Sequence, residues 1–170
     1  MSWMIYCLIA LATFFLMEGV TWLTHKYIMH GFLWYLHKDH HQPAKGFLEK
    51  NDFFFLIFAI PGWLCIMLGW SHANWLVVGI GAGITLYGIA YFLVHEIIIH
   101  QRFKLFTRSN NHYIKTIRWA HKMHHRHLNK EDGESFGMLF VSKKYRDKIN
   151  KDAALQKSTK HISKIKADRI

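Results

Sequence analysis

"FFFLIFAIPGWLCIMLGWSHANWLVVGIGAGITLYGIAYFLV", residues 53–94, contains two apolar runs, Phe53–Trp70 and Trp75–Val94, joined only by Ser71–Asn74. So short a link makes the two runs an antiparallel helical hairpin. A third run, Trp3–Leu23, is interrupted only by Glu18. At about 1.5 Å of rise per residue, runs of this length extend roughly 27–32 Å, close to the hydrocarbon thickness of a bilayer. Soluble helices of such length carry a polar face, and these do not. The first run lacks a basic start and an Ala-x-Ala cleavage site, so it reads as a retained span rather than a signal peptide. Pro61-Gly62 predicts a kink in the second run. Gly79 and Gly83 form a G-x-x-x-G in the third, a pattern that permits close helix contact in lipid.

Charge is distributed as strictly as apolarity. The chain of 170 residues has a formal net charge of +11, and its 22 Lys and Arg all lie in 26–50 or 102–169. The positive-inside rule then places the amino terminus and the Ser71–Asn74 loop outside, and the 26–50 loop and the carboxyl-terminal region in the cytoplasm. Cys7 and Cys65 both lie in apolar runs, and neither a disulfide framework nor a thiolate zinc ribbon is indicated. Basic residues that flank spans rather than cover a compact fold argue against a nucleic-acid binder.

Histidine stands out, at 14 residues. His25 and His30 close the first span and His95 and His100 close the third, each as H-x4-H. His37, His40 and His41 lie in the cytoplasmic loop, and His121, His124 and His125 in the cytoplasmic tail, each as H-x-x-H-H. All four clusters fall on one membrane face in a topology drawn without them. A single histidine at an interface is ordinarily a polar anchor, but four clusters on one face are not. Positions i, i+3 and i+4 share a helix face, so H-x-x-H-H can converge on one point or on two neighbouring points. Five residues apart is roughly 140° around a regular helix. For H-x4-H, then, either the helix is distorted, or the pair straddles a helix end, or its members serve two metals. Neutral imidazole is the commonest metal ligand, and ten histidines exceed what one ion can hold. Two metals beside a membrane point to oxygen chemistry on a lipophilic substrate, and hence to iron. A transporter would place its ligands near the bilayer midplane instead.

Other polar residues have narrower readings. Glu18 sits at membrane depth, either protonated or bonded to a neighbouring helix at Thr85 or Tyr87. Asp39 and Glu96 lie beside histidines and could hold an imidazole N–H or simply be solvated. His112 and His127 are candidates for the same supporting role, whereas His72 and His161 read as ordinary surface residues. Phe32–Gln42 reads as a short helix stopped by Pro43. A helix capped by Asn110 or Asn111 runs to about Leu128, and Glu131–Ser135 is a turn. Residues 143–170, with 10 Lys and Arg against 3 acidic residues, read as a loose helix or a partly disordered tail. The domain division expected is 1–142, with spans at about 3–23, 53–70 and 75–94, followed by a basic cytoplasmic tail at 143–170.

"THKYIMHGF", "HKDHHQP", "VHEIIIHQR" and "HKMHHRHLNKEDGESFGMLF" together resemble the bacterial carotenoid β-ring hydroxylases, part of the fatty acid hydroxylase-like superfamily of membrane non-haem di-iron enzymes. The resemblance runs from about Met17 to Phe140. It implies an all-α integral membrane protein with three clear transmembrane helices and a cytoplasmic helical cap carrying a histidine-rich dinuclear metal site. The aromatic run Phe32–Leu36 is the candidate for a fourth, short or interfacial span. The activity implied is 3-hydroxylation of β-ionone rings, from β-carotene to β-cryptoxanthin to zeaxanthin. The implied cofactors are two non-haem irons, with O2 as co-substrate and electrons from a reductase or ferredoxin system. The implied metal ligands are His25, His30, His37, His40, His41, His95, His100, His121, His124 and His125. The substrate would enter sideways from the bilayer. The basic face would meet an acidic ferredoxin-type donor or membrane lipid. The second H-x4-H commonly begins His-Asp in this family, and here it begins His95-Glu96. A hydroxylase of fatty acid, sterol or another carotenoid is the nearest alternative.

Overall fold

The computed structural model describes residues 2–42, 46–127, 131 and 133–167. Among these the chain is helical, with no β-strand. The order is α1 (Trp3–Leu23), α2 (Trp34–His37), α3 (Phe53–Ser71), α4 (Trp75–Tyr91), α5 (His112–His124) and α6 (Lys143–Ala167). Ser2, Asn74 and Asn111 cap α1, α4 and α5 by accepting from backbone amides of the first turn. Three stretches, Trp3–Phe32, Lys50–Ser71 and Trp75–Ile99, are long and apolar enough to cross a membrane. Large apolar side chains such as Leu16 and Trp63 stay exposed on their outer faces, as lipid rather than water requires.

α4 packs against both α1 and α3. Its glycines make this fit. A Cβ at Gly83 would lie 2.5 Å from the Ala10 carbonyl oxygen, and one at Gly81 would lie 2.8 Å from the Gly62 carbonyl oxygen. The G-x-x-x-G face, Gly79 and Gly83, therefore meets α1, and Gly81 between them meets α3. α3 runs unbroken from Phe53 to Ser71 with Pro61 inside it. Met17, Tyr87 and Met138 form a buried apolar cluster toward the histidine-bearing ends of α1 and α4.

Both H-x4-H pairs are carried by π-helix, His25 and His30 within the first segment, and His95 within the second with His100 as the residue that ends it. α1 passes directly into a π segment at Thr24–Phe32, and α4 into another at Phe92–Ile99. The amide of His100 bonds the carbonyl of His95 at 2.9 Å, five residues back. Widening the helix from i→i+4 to i→i+5 stacks residues five apart above one another. This distortion answers the 140° problem, so the members of each pair need not serve two metals.

Elsewhere the structure departs from expectation. The Phe32–Gln42 helix is only the four-residue α2, followed by consecutive i→i+3 turns through Gln42. A break at Gly31, with φ −108° and ψ −124°, separates it from the π segment. A helix of four residues cannot cross a bilayer, so the described residues hold three span-length helices and no fourth at Phe32–Leu36. α5 ends at His124, with a turn beyond it. The basic tail is a continuous helix from Lys143 to Ala167 that packs on α5 and buries Tyr145. The expectations at Pro43, Leu128 and the His161 side chain lie outside what is described.

Candidate metal centre

The four histidine clusters meet at one end of the bundle and sort into two groups. Ring nitrogens of His25, His30, His37, His41 and His124 lie within 4.8 Å of one another, as do those of His40, His95, His100 and His121. His125 joins the second group through its Nε2, 2.8 Å from that of His121. It also stacks on His41, with ring centroids 4.3 Å apart, and so sits between the groups. All ten sequence candidates are thus brought together. Each H-x4-H stays within one group, and each H-x-x-H-H is divided between them, so the convergence is on two neighbouring points.

The outer nitrogens of the rings fix what the inner ones can do. In the first group, Nδ1 of His25 donates to the Phe136 carbonyl at 2.9 Å, that of His124 to the Glu134 carbonyl at 2.9 Å, and that of His37 to the Asn51 side-chain oxygen at 2.6 Å. In the second, Nδ1 of His40 donates to Glu49 at 2.8 Å and that of His95 to Glu96 at 2.7 Å. A neutral imidazole that donates from Nδ1 presents a bare lone pair at Nε2. His25 and His37 nevertheless point their Nε2 atoms at each other across 3.0 Å. Two lone pairs cannot hydrogen-bond each other; the His41 ring, its Nε2 3.0 Å from that of His37, can donate to one of them, whereas a cation between the rings satisfies both at once. Nε2 of His40 and of His95 are buried with no hydrogen-bond partner among the described residues. The donor set therefore fits metal: neutral imidazoles, oriented from outside, whose inward nitrogens meet only one another or, at His40 and His95, no partner among the described residues.

Burial keeps the rings neutral. Burial and then the neighbouring imidazoles push His125 down to about 4. His37 is pushed down to about 3 by burial first, against the raising effect of its Asn51 bond. His40, His41, His100 and His121 are driven well below the usual histidine range by the same two causes, burial being the larger. Metal binding needs no proton to be displaced from such rings at neutral pH.

Aromatic rings close the site. Phe136 is buried and lies edge-on to His25, His30 and His124 at 5.5, 5.3 and 5.1 Å. Trp34 lies beside His30 and His41 at 5.2 and 5.3 Å, and Tyr91 stacks on His95 at 4.7 Å.

Glu18 anchors the segment that carries two of the outer acceptors. Its Oε1 accepts from the backbone amides of Met138, Leu139 and Phe140 at 2.8, 2.8 and 3.1 Å, and its Oε2 accepts from the Tyr87 hydroxyl at 2.7 Å. Of the two partners expected for it, Tyr87 is the one used. Thr85 bonds the Gly81 carbonyl instead. Gly137 leaves room for Glu18: a Cβ there would stand 2.8 Å from Oε1, so the carboxylate would have to move. Ser135, at φ 58°, is left-handed. The carbonyls on either side of it are those that receive His124 and His25.

Sequence spacing missed Glu49, Asn51 and Arg102, and it could not see backbone carbonyls as partners. The signal for the first two was the polar stretch "LEKND" at 48–52, set against the start of an apolar run. Glu96 holds an imidazole as one of its two readings required. Asp39 does not: it accepts from the Lys50 amide at 2.8 Å. His112 and His127 are exposed. The His72 side chain bonds Ser71 and the Leu68 carbonyl at the exposed hairpin end.

Known proteins point the same way. A beta-carotene hydroxylase of Pantoea ananas is 43% identical over 83% of this chain and 80% of its own length. One from Pseudescherichia vulneris is 39% identical over 80% and 77%, and one from a Paracoccus species is 35% identical over 79% and 83%. No solved structure matches significantly. The fatty acid hydroxylase family matches residues 10–145, from within α1 to the first turn of α6. A match that takes in both π segments and both H-x-x-H-H blocks places the chain: it belongs to the fatty acid hydroxylase family, and the relatives it resembles there are beta-carotene hydroxylases.

Proposed function

We propose that this protein hydroxylates carotenoid β-ionone rings at C3, converting β-carotene to β-cryptoxanthin and then to zeaxanthin. Each turn inserts one oxygen atom of O2 into a C–H bond and releases the other as water, consuming two electrons and two protons. The observation that carries the reading is the paired, inward-facing lone pairs of His25 and His37, in a chain whose relatives bear that activity in their names.

The ten histidines His25, His30, His37, His40, His41, His95, His100, His121, His124 and His125 would hold two irons, one in each group. Bound iron would supply the activation of O2 and the removal of the ring hydrogen. The protein's own residues orient and insulate that chemistry. Phe136, Glu134, Asn51, Glu49 and Glu96 hold five rings in one tautomer. Phe136, Trp34 and Tyr91 keep water from the histidines. The substrate is lipid-soluble, so its ring reaches the site from the bilayer, past the inner ends of α1 and α4.

The protein sits in the cytoplasmic membrane with its amino terminus outside and the histidines on the cytoplasmic side; the placement of every Lys and Arg supports this. Residues 1–142 form the hydroxylase domain and 143–170 a basic tail. That tail and the basic face around it suit an acidic ferredoxin-type electron donor.

Expression in a β-carotene-producing bacterium, with pigment analysis, tests the proposal. Zeaxanthin should appear, and His40→Ala should abolish it while the protein stays in the membrane. Unchanged β-carotene, despite ample protein and reductant, would overturn the reading in favour of another lipid substrate.

A further inference from the structure

Arg102 lies immediately beyond the second π segment and donates nothing to any histidine. It is nevertheless the hub of the acidic groups behind the second histidine group. Its guanidinium stands 3.1 Å from Glu96, 3.0 Å from Asp52 and 3.4 Å from Glu49. Glu96 holds His95 and Glu49 holds His40, and the two glutamates lie 47 positions apart in the chain. The side chain is 15% exposed, and its guanidinium carbon lies 5.8 Å from the centre of the Phe47 ring.

The backbone is shaped to deliver this residue. Gln101 is left-handed, at φ 55°, a conformation seldom adopted by residues with a side chain. It reverses the chain so that the Arg102 amide bonds the Glu96 carbonyl at 2.9 Å. The side chain then returns over the very residue its backbone has bonded. Asp52 completes the clamp from the other side, because its second oxygen accepts from the Glu49 amide at 3.0 Å.

We propose that Arg102 is a positioning residue for the second histidine group, holding Glu49 and Glu96 together against His40 and His95. The inference rests on reading the two groups as metal sites. Without the guanidinium, Glu49, Asp52 and Glu96 face one another with nothing between them. Like charges in a half-buried setting separate, and the two imidazoles lose the acceptors that aim their Nε2 atoms inward. A lysine cannot replace it, because one ammonium cannot bridge three carboxylates lying in different directions.

The experiment is anaerobic titration of the detergent-purified apoprotein with Fe(II), and Mössbauer spectroscopy of the loaded protein, for wild type, Arg102→Gln, Arg102→Lys and the double variant Arg102→Gln/Glu49→Gln. The wild type should take up two ions. Arg102→Gln should weaken one of them by about 10- to 100-fold, the range for loss of a group supporting a ligand, and should change one of two iron signals. Arg102→Lys should weaken the same ion by less. The double variant should recover part of the loss, because a glutamine oxygen still accepts from His40 and removes one uncompensated charge. Equal weakening of both ions, or no weakening in folded Arg102→Gln or Arg102→Lys, overturns the role of Arg102. No recovery in the double variant overturns it as well. A wild type that binds no iron overturns the metal-site reading itself.

Discussion

His25 and His37 confront each other through Nε2 atoms 3.0 Å apart, each having committed its Nδ1 proton elsewhere, to the Phe136 carbonyl and the Asn51 side chain. Without an ion this contact is repulsive, and with one it becomes two bonds. The folded protein is therefore expected to gain stability with metal. Free Fe(II) at a hundredfold excess over its Kd adds about 2.7 kcal/mol by mass action alone. Thermal unfolding of chelator-treated protein, with and without added Fe(II), should show the rise. Coincident melting curves would contradict it.

Asn51 should matter although it touches no substrate. It is buried, and its oxygen is the acceptor that fixes the His37 tautomer. Asn51→Leu fills similar space and offers no acceptor. Affinity for the ion in the first group should fall by about 10- to 100-fold, with the helical content by circular dichroism unchanged. Metal retention equal to wild type during dialysis would show that His37 is oriented by packing alone.

Glu18 presents a harsher case. Glu18→Leu strands three backbone amides, those of Met138, Leu139 and Phe140, at about 1–3 kcal/mol each where they remain buried. A large fall in melting temperature is expected. Glu18→Gln keeps one acceptor oxygen and should cost only about 1 kcal/mol. The ratio between the two variants is the measurement. If both melt alike, the amides have found other partners and the anchor is dispensable.

The helix contacts predict a third kind of failure. Gly83→Leu must push α4 from α1, since even its Cβ would meet the Ala10 carbonyl at 2.5 Å. Gly88 has open space around it, so Gly88→Leu should be tolerated. Yield of monodisperse protein in detergent would compare them. Equal yields would mean that α1 and α4 pack less closely than Gly83 indicates.

How legible this was in the sequence depended on the range of the interaction. The spans could be read because the bilayer imposes one requirement along the whole length of a helix, and Trp3–Leu23 satisfies it with only Glu18 as an interruption. The ten histidines could be read because their spacing repeats. Their division into two groups could not. Whether His40 joins His37 or His95 depends on turns of i→i+3 beyond α2, which local pattern does not distinguish from a continuing helix. The π segments were legible only as a contradiction, since five residues do not close a turn in a regular helix. The outer partners were hidden for two reasons. Glu49 and Asn51 lie 9 and 14 positions from the rings they hold, and Phe136 and Glu134 act through carbonyls that every residue possesses.

Both histidine groups draw on distant ends of the chain: the first needs His25 and His124, the second His40 and His121. Synthesis delivers these ends in order, and amino-terminal parts assemble first. All three spans therefore emerge before α5 does, and α5 before the Glu18-anchored segment at 138–140. For that interval the chain is a bundle of three spans with seven of its ten candidate histidines made, and the three of the α5 block, His121, His124 and His125, still to arrive. If the two groups hold metal as proposed, its loading is the closing event of assembly, the step that joins the last third of the chain to a bundle already committed to the bilayer.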